Sequence, residues 1–143
     1  MKQFSTEPGA GNERCKEGIL NDLFRPSRKS IGAAGETLAA EHLKREGYII
    51  LERNFRNRWA EVDIIAFKDA TIHFFEVKTR NGDAFGEPEE AVDGRKIRRI
   101  FDISRYYFAS RPWITADQQV AFAVIAVMLK DGKAVFRVVP FEV

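Results

Sequence analysis

Two strand-like runs, Ala60 to Phe67 and Thr71 to Thr79, are separated by only Lys68, Asp69 and Ala70. β-Branched and aromatic residues dominate both runs, and so short a linker joins them as an antiparallel hairpin. Strand parity then sorts the side chains. Glu61, Asp63, Ile65 and Phe67 fall on one face, with Val62, Ile64 and Ala66 on the other. In the return strand Ile72, Phe74, Glu76 and Lys78 share a face. Carboxylates set among aromatic residues are costly unless paired or bound to a cation.

Register decides whether these charges meet. A turn centred on Asp69 and Ala70 pairs Phe67 with Ile72, Ile65 with Phe74, Asp63 with Glu76, and Glu61 with Lys78. Apolar then faces apolar, and the acids meet with Cβ atoms roughly 5 Å apart, near enough to share one divalent ion. A slip of one residue would put Asp63 and Glu76 on opposite faces. The competing reading is a salt-bridged hairpin that binds nothing.

A helix is expected over Ile31 to Glu46, capped by Ser30 and stopped at Gly47, followed by a strand over Tyr48 to Phe55. A second helix is expected from Glu89 to Ala109, with the apolar stripe Val92, Ile97, Ile100, Phe101, Ser104 and Phe108 and with Pro112 beyond its end. Val120 to Leu129 reads as a buried central strand, and Ala134 to Val139 as a closing strand after the Asp131-Gly132 turn. Residues 1–29, with Pro8, Gly9, Gly11, Gly18 and Pro26, read as a flexible N-terminal extension, leaving 30–143 as the folded domain.

With 45% hydrophobic and 31% charged residues in 143, the chain suits one globular domain and not a disordered one. Cys15, the single cysteine, excludes an internal disulfide and points to a reducing compartment. Val120 to Leu129 is half the about 20 residues of a membrane span, and Met1 to Ser5 leads into no signal-like core. A soluble cytoplasmic protein without a membrane partner is expected. A net charge of +2 says little about partners. Between residues 95 and 111, however, Arg95, Lys96, Arg98, Arg99, Arg105 and Arg111 face one acid, Asp102, a local field for a polyanion or else a solvated helix face.

Glu36, Ala39, Ala40 and Leu43 fall at i, i+3, i+4 and i+7, so Glu36 lies on the packing stripe of the first helix. The alternative is a rim residue that reaches solvent or Arg53. Asp63, Glu76 and Lys78 suit phosphodiester chemistry: two oxygen ligands hold a hard cation, and the lysine orients the attacking water. Arg95, Arg98 and Arg99, together with Arg80 on the strand, are placed to meet phosphates. Glu61 and Lys96 are auxiliary candidates. His42 and His73 read as packing or surface residues, and Trp59 and Trp113 as core or rim anchors ahead of base-stacking groups.

The segments Gly35-Glu36 with Leu38-Ala39-Ala40, Gly47-Tyr48-Ile49-Ile50-Leu51, Arg53-Asn54-Phe55-Arg56, Glu61-Val62-Asp63-Ile64-Ile65-Ala66, Phe75-Glu76-Val77-Lys78-Thr79-Arg80 and Phe85-Gly86-Glu87-Pro88 resemble the YraN-type family of restriction-endonuclease-like proteins. More distantly the chain is similar to archaeal Holliday-junction resolvases. The resemblance implies an α/β, restriction-endonuclease-like αβββαβ core with a mixed central sheet flanked by helices. It also implies Glu36, Asp63 and Glu76 as ligands of Mg²⁺ or Mn²⁺, and Lys78 as the catalytic lysine of a PD-(D/E)xK nuclease, in DNA repair or recombination. Ala60 replaces the family's usual glycine, and Ala121 and Ala123 replace its usual Arg-x-Asp. Metal-dependent cleavage of DNA, branched or otherwise structured, is the leading expectation. A catalytically inactive nucleic-acid-binding module and a protein-interaction domain are the alternatives. A homodimer, which cutting two strands would need, is open.

Overall fold

The computed structural model describes residues 27–82, 93–115 and 117–142. Residues 1–26 of the expected extension, the first residues of the expected second helix, and most of the loop before it lie outside the described residues.

Helix α1 spans Arg28–Arg45, and its cap is Ser27, three residues ahead of the expected Ser30. The Ser27 Oγ accepts from the Ser30 amide at 3.1 Å, while the Ser30 hydroxyl donates to the Ser27 carbonyl at 2.8 Å, so both serines serve the start of the helix. At the other end the amides of Gly47 and Tyr48 donate to the carbonyls of Lys44 and Leu43. This double closure needs a left-handed residue, and Gly47 supplies it at φ 88°.

Five strands follow or flank the second helix: β1 (Ile49–Arg56), β2 (Glu61–Lys68), β3 (Thr71–Asn81), β4 (Gln119–Lys130) and β5 (Lys133–Phe141), with α2 (Gly94–Ala109) between β3 and β4. Their order in the sheet is their order in the chain. All neighbours are antiparallel except β3 and β4, which run parallel, as a crossover through α2 requires. The result is the mixed, helix-flanked α/β sheet of a restriction-endonuclease-like core. Among the described residues no helix is long and apolar enough to cross a membrane.

The two helices cover opposite faces. Ala39, Ala40 and Leu43 of α1 pack with Ile64, Phe75, Val77 and Ile125, whereas Ile100, Ile103 and Tyr107 of α2 pack with Ile65, Ile72 and Phe74. The inward stripe of α2 is Ile100, Ile103, Ser104 and Tyr107, at i, i+3, i+4 and i+7; Phe101, expected inside, is 39% exposed. The period selects Ile103 and Tyr107 because they stand one turn apart on the line through Ile100. On the other side α1 meets β3 so closely that a Cβ at Gly35 would overlap the Thr79 hydroxyl. Glycine there sets the height of α1 over β3 and therefore the position of Glu36.

Candidate functional site

The turn between β2 and β3 has Asp69 and Ala70 in left-handed conformations, φ 50° and 57°, which fixes the expected register. Phe67 pairs with Ile72 and Ile65 with Phe74, and the ladder ends at Ile64 and Phe75. Beyond that point β2 stays with β1 through Phe55–Val62 and Arg56–Glu61, and β3 stays with β4 as far as Asn81–Leu129. The sheet thus divides between Asp63 and Glu76. The Asp63 carboxylate fills the gap in the ladder, its Oδ2 accepting from the Val77 amide at 2.7 Å. Asp63 and Glu76 are therefore brought together at the split, one register step past the last ladder pair.

Glu76 is 5% exposed, a buried carboxylate that needs counter-charge. Lys78 supplies one at 3.1 Å and Lys96 a second, both on the same oxygen. Lys96 stands in the first turn of α2, where Asp93 caps the helix by accepting from the Lys96 amide at 2.9 Å. Burial works against charge on Lys96, but its contact with the Glu76 carboxylate holds its pKa above the ordinary lysine value. Asp63 moves the other way from a normal acid. Burial, then the charge of Glu76, push its carboxyl up to about 7, with a smaller push from Glu36; the Val77 amide and Lys96 oppose the rise.

Asp63, Glu76 and Lys96 open into a cleft of about 640 Å³, whose other walls include Arg56, Trp59, Glu61, Arg95 and Arg99. Glu36 and Arg80 belong to a second cleft of about 480 Å³ beside Val77 and Thr79, on the face that α1 covers. Glu36 thus acts on Asp63 by charge, across the split. Among the described residues no group of three or more His, Cys, Asp and Glu side chains is placed to hold a metal ion. Arg53, the alternative partner considered for Glu36, donates to the Thr37 hydroxyl at 3.2 Å.

The basic stretch divides. Arg95 and Arg99 line the cleft, Arg98 is exposed outside its wall, and Arg111 is paired with Glu52 and lies 4.0 Å over the Tyr107 ring. Arg111 is therefore engaged in packing the end of α2 against β1. His42 stacks on Phe136 and His73 on Phe75, as packing residues do, and burial holds the His73 pKa below its usual value. Neither tryptophan anchors the core: Trp59 is 67% and Trp113 74% exposed. Ala121 and Ala123 lie opposite His73 and Phe75 of β3, whose parity points away from Glu76, so the two replacements take nothing from the cleft. Lys96, only an auxiliary candidate by sequence, is the nearest partner of Glu76. Its signal was present in the spacing, three residues after a capping Asp and four before the buried Ile100.

Residues 35–127 match the uncharacterised protein family UPF0102. The chain is 42% identical over 106 residues to a UPF0102 protein of Syntrophomonas wolfei, covering 74% of this chain and 90% of that one. It is 47% identical over 105 residues to one from Alkaliphilus oremlandii, covering 73% and 90%, and 40% identical over 111 residues to one from Caldanaerobacter subterraneus, covering 78% and 89%. The matched residues 35–127 contain the split hairpin, α2 and the whole acid–lysine cluster, and the chain belongs to the UPF0102 family.

Proposed function

We propose that this protein is a divalent-metal-dependent phosphodiesterase acting on DNA. The observation that carries the reading is the placement of Asp63 and Glu76 side by side at the strand split, with Lys78 and Lys96 on Glu76 and a cationic wall beside them. Hard oxygen donors suit Mg²⁺ or Mn²⁺. Two carboxylates are enough for Mg²⁺, which keeps several waters and takes further oxygens from substrate phosphate. Asp63 and Glu76 would hold it, and when bound it would stabilise charge on the phosphate and lower the pKa of water.

The chain's own residues supply the rest. Arg95 and Arg99 would hold the phosphate over the cleft. Lys78, tethered to Glu76, would orient the attacking water or neutralise the growing charge, and Lys96, on the same carboxylate oxygen, remains protonated to do the same. Cutting both strands of a duplex or four-way junction would require a second copy of the chain.

The second reading, a nucleic-acid-binding module without catalysis, has one observation in its favour. Two lysines already neutralise Glu76, and a cation would have to displace at least one. Cleavage of single-stranded, duplex, forked and four-way DNA with Mg²⁺ or Mn²⁺ separates the two, with Glu76→Gln and Lys78→Ala as controls. Metal-dependent cleavage lost by at least about 100-fold in both variants is expected. Metal-independent binding with no cleavage would establish the second reading instead. Millimolar Mn²⁺ should also raise the melting temperature of the native protein and not that of Asp63→Ala.

A further inference from the structure

The β1–β2 turn projects into the same cleft as the acids. Asn57 fixes its shape: the side-chain Oδ1 accepts from the amides of Trp59 at 2.9 Å and Ala60 at 2.8 Å, and the Asn57 amide donates to the Ala60 carbonyl at 3.0 Å. Ala60 closes this turn. The backbone under Trp59 is thus tied down while the residue remains 67% exposed. Over the ring, 3.8 Å from its centroid, lies the Arg58 guanidinium. A tryptophan on a constrained turn contributes little to the core from here. It offers a large flat surface at low entropic cost to whatever enters the cleft.

We propose that Trp59, with Arg58, is a stacking platform for an unpaired nucleobase beside the acid site. The substrate is therefore a strand with unstacked bases at the site, single-stranded or frayed. This rests on the nucleic-acid reading of the cleft and narrows it. The ligand chemistry follows from the three walls. Arg95 and Arg99 on α2 meet phosphate, Asp63 and Glu76 mark the reacting position, and Trp59 closes the third side with an aromatic face. Every base has a π-face, so the platform selects for unstacked bases and not for sequence. In a continuous duplex the bases are stacked on one another, and Trp59 meets only sugar and phosphate edges. Arg58 suits the same task, since a guanidinium stacks on aromatic rings and also pairs with phosphate.

The two tryptophans make the test clean. Trp113 lies on another cleft, with Tyr107 and Arg111, and serves as the control for an exposed tryptophan as such. With the full chain, affinity would be measured for a dye-labelled thymidine oligomer of about 16 nucleotides and for an abasic oligomer of equal length and charge. The native protein should prefer the thymidine oligomer by about ten-fold or more. Trp59→Ala should lose that preference with its abasic affinity, salt dependence and melting temperature unchanged. Trp59→Phe should keep most of it, and Trp113→Ala all of it. In Trp113→Phe, where Trp59 is the remaining tryptophan, the thymidine oligomer and not the abasic one should quench fluorescence. Equal native affinity for both oligomers would overturn the platform while leaving phosphate binding in place. A preference that survives Trp59→Ala would also overturn it. Binding of neither oligomer at low salt would overturn the nucleic-acid reading itself, and the platform with it.

Discussion

At the turn end of the β2–β3 hairpin, Phe67 faces Ile72 and Ile65 faces Phe74 in an unbroken ladder. At the other end, only two residues beyond Ile65, the ladder is gone and a carboxylate accepts the amide of Val77 in its place. The turn end is apolar and closed against α2, with Ile65 and Phe74 fully buried. Each such side chain contributes roughly 1.5–3 kcal/mol by leaving water. The split end holds Asp63 with a raised pKa and Glu76 between two lysines. Its groups are arranged at some cost to stability, which the neighbouring apolar half offsets. The same two strands thus show that a site of clustered charge is tolerated because the adjoining register is over-determined by packing.

If stability resides at the turn end, Phe74→Ala is the most damaging single change. Phe74 meets Tyr107 and Phe108 edge-on and stacks on Phe122, so truncation leaves a cavity that three rings cannot fill. A loss of about 3–5 kcal/mol in urea unfolding is expected. An Asp63 substitution that costs as much would break the comparison.

The split end should behave in the opposite sense. The folded pKa of Asp63, about 7, lies above its ordinary 3.8. Below pH about 4 both folded and unfolded chains hold the proton, and Asp63 costs nothing. As pH rises from about 4 to 7 the unfolded chain releases its proton while the folded one retains it, so stability falls; above 7 the full cost is present. Asp63→Asn keeps an acceptor for the Val77 amide and removes the charge. It should therefore be more stable than the native protein at pH 8, by on the order of 1–3 kcal/mol, and should flatten the dependence between pH 4 and 8. Urea midpoints at several pH values measure both. A variant that retains the native slope would show that Asp63 does not bear the strain of the split.

Most of this contrast was legible in the sequence. The three-residue linker, strand parity and the apolar pairs specify the hairpin, its register and the faces of Glu76 and Lys78. What stayed hidden depends on where ladders end. Nothing in the alternation of Glu61 to Phe67 says that β2 leaves β3 after Ile64, because a strand pairs on two edges and β1 continues to hold it. That departure converts an expected Asp63–Glu76 ladder pair into a side chain bonded to Val77. Helical period puts Glu36 on the packing stripe, but period cannot tell which side of a split sheet the stripe covers. The inward face of α2 shifted for a related reason: Phe101 outranks Ile103 in size, and three-dimensional fit chose the line through Ile100, Ile103 and Tyr107.

The smallest effect separates the arginines of α2 from one another. By spacing alone Arg95, Arg98 and Arg99 form one phosphate-binding set, yet Arg95 and Arg99 line the cleft at the split end and Arg98 does not. Arg111, past the other end of the helix, is paired with Glu52 beside Tyr107 at the closed, apolar side of the molecule. A cation that meets a phosphate releases a condensed counterion, so its removal lowers the slope of log affinity against log salt by about 0.7 for a single strand. Arg95→Ala and Arg99→Ala should each show that decrease with the thymidine oligomer. Arg98→Ala should leave the slope unchanged, and Arg111→Ala should lower the melting temperature without altering it. Equal slopes for all four variants would place the nucleic acid away from α2. A decrease confined to Arg98 would set it on the outer face of the helix, and the cleft at the split would lose its phosphate wall.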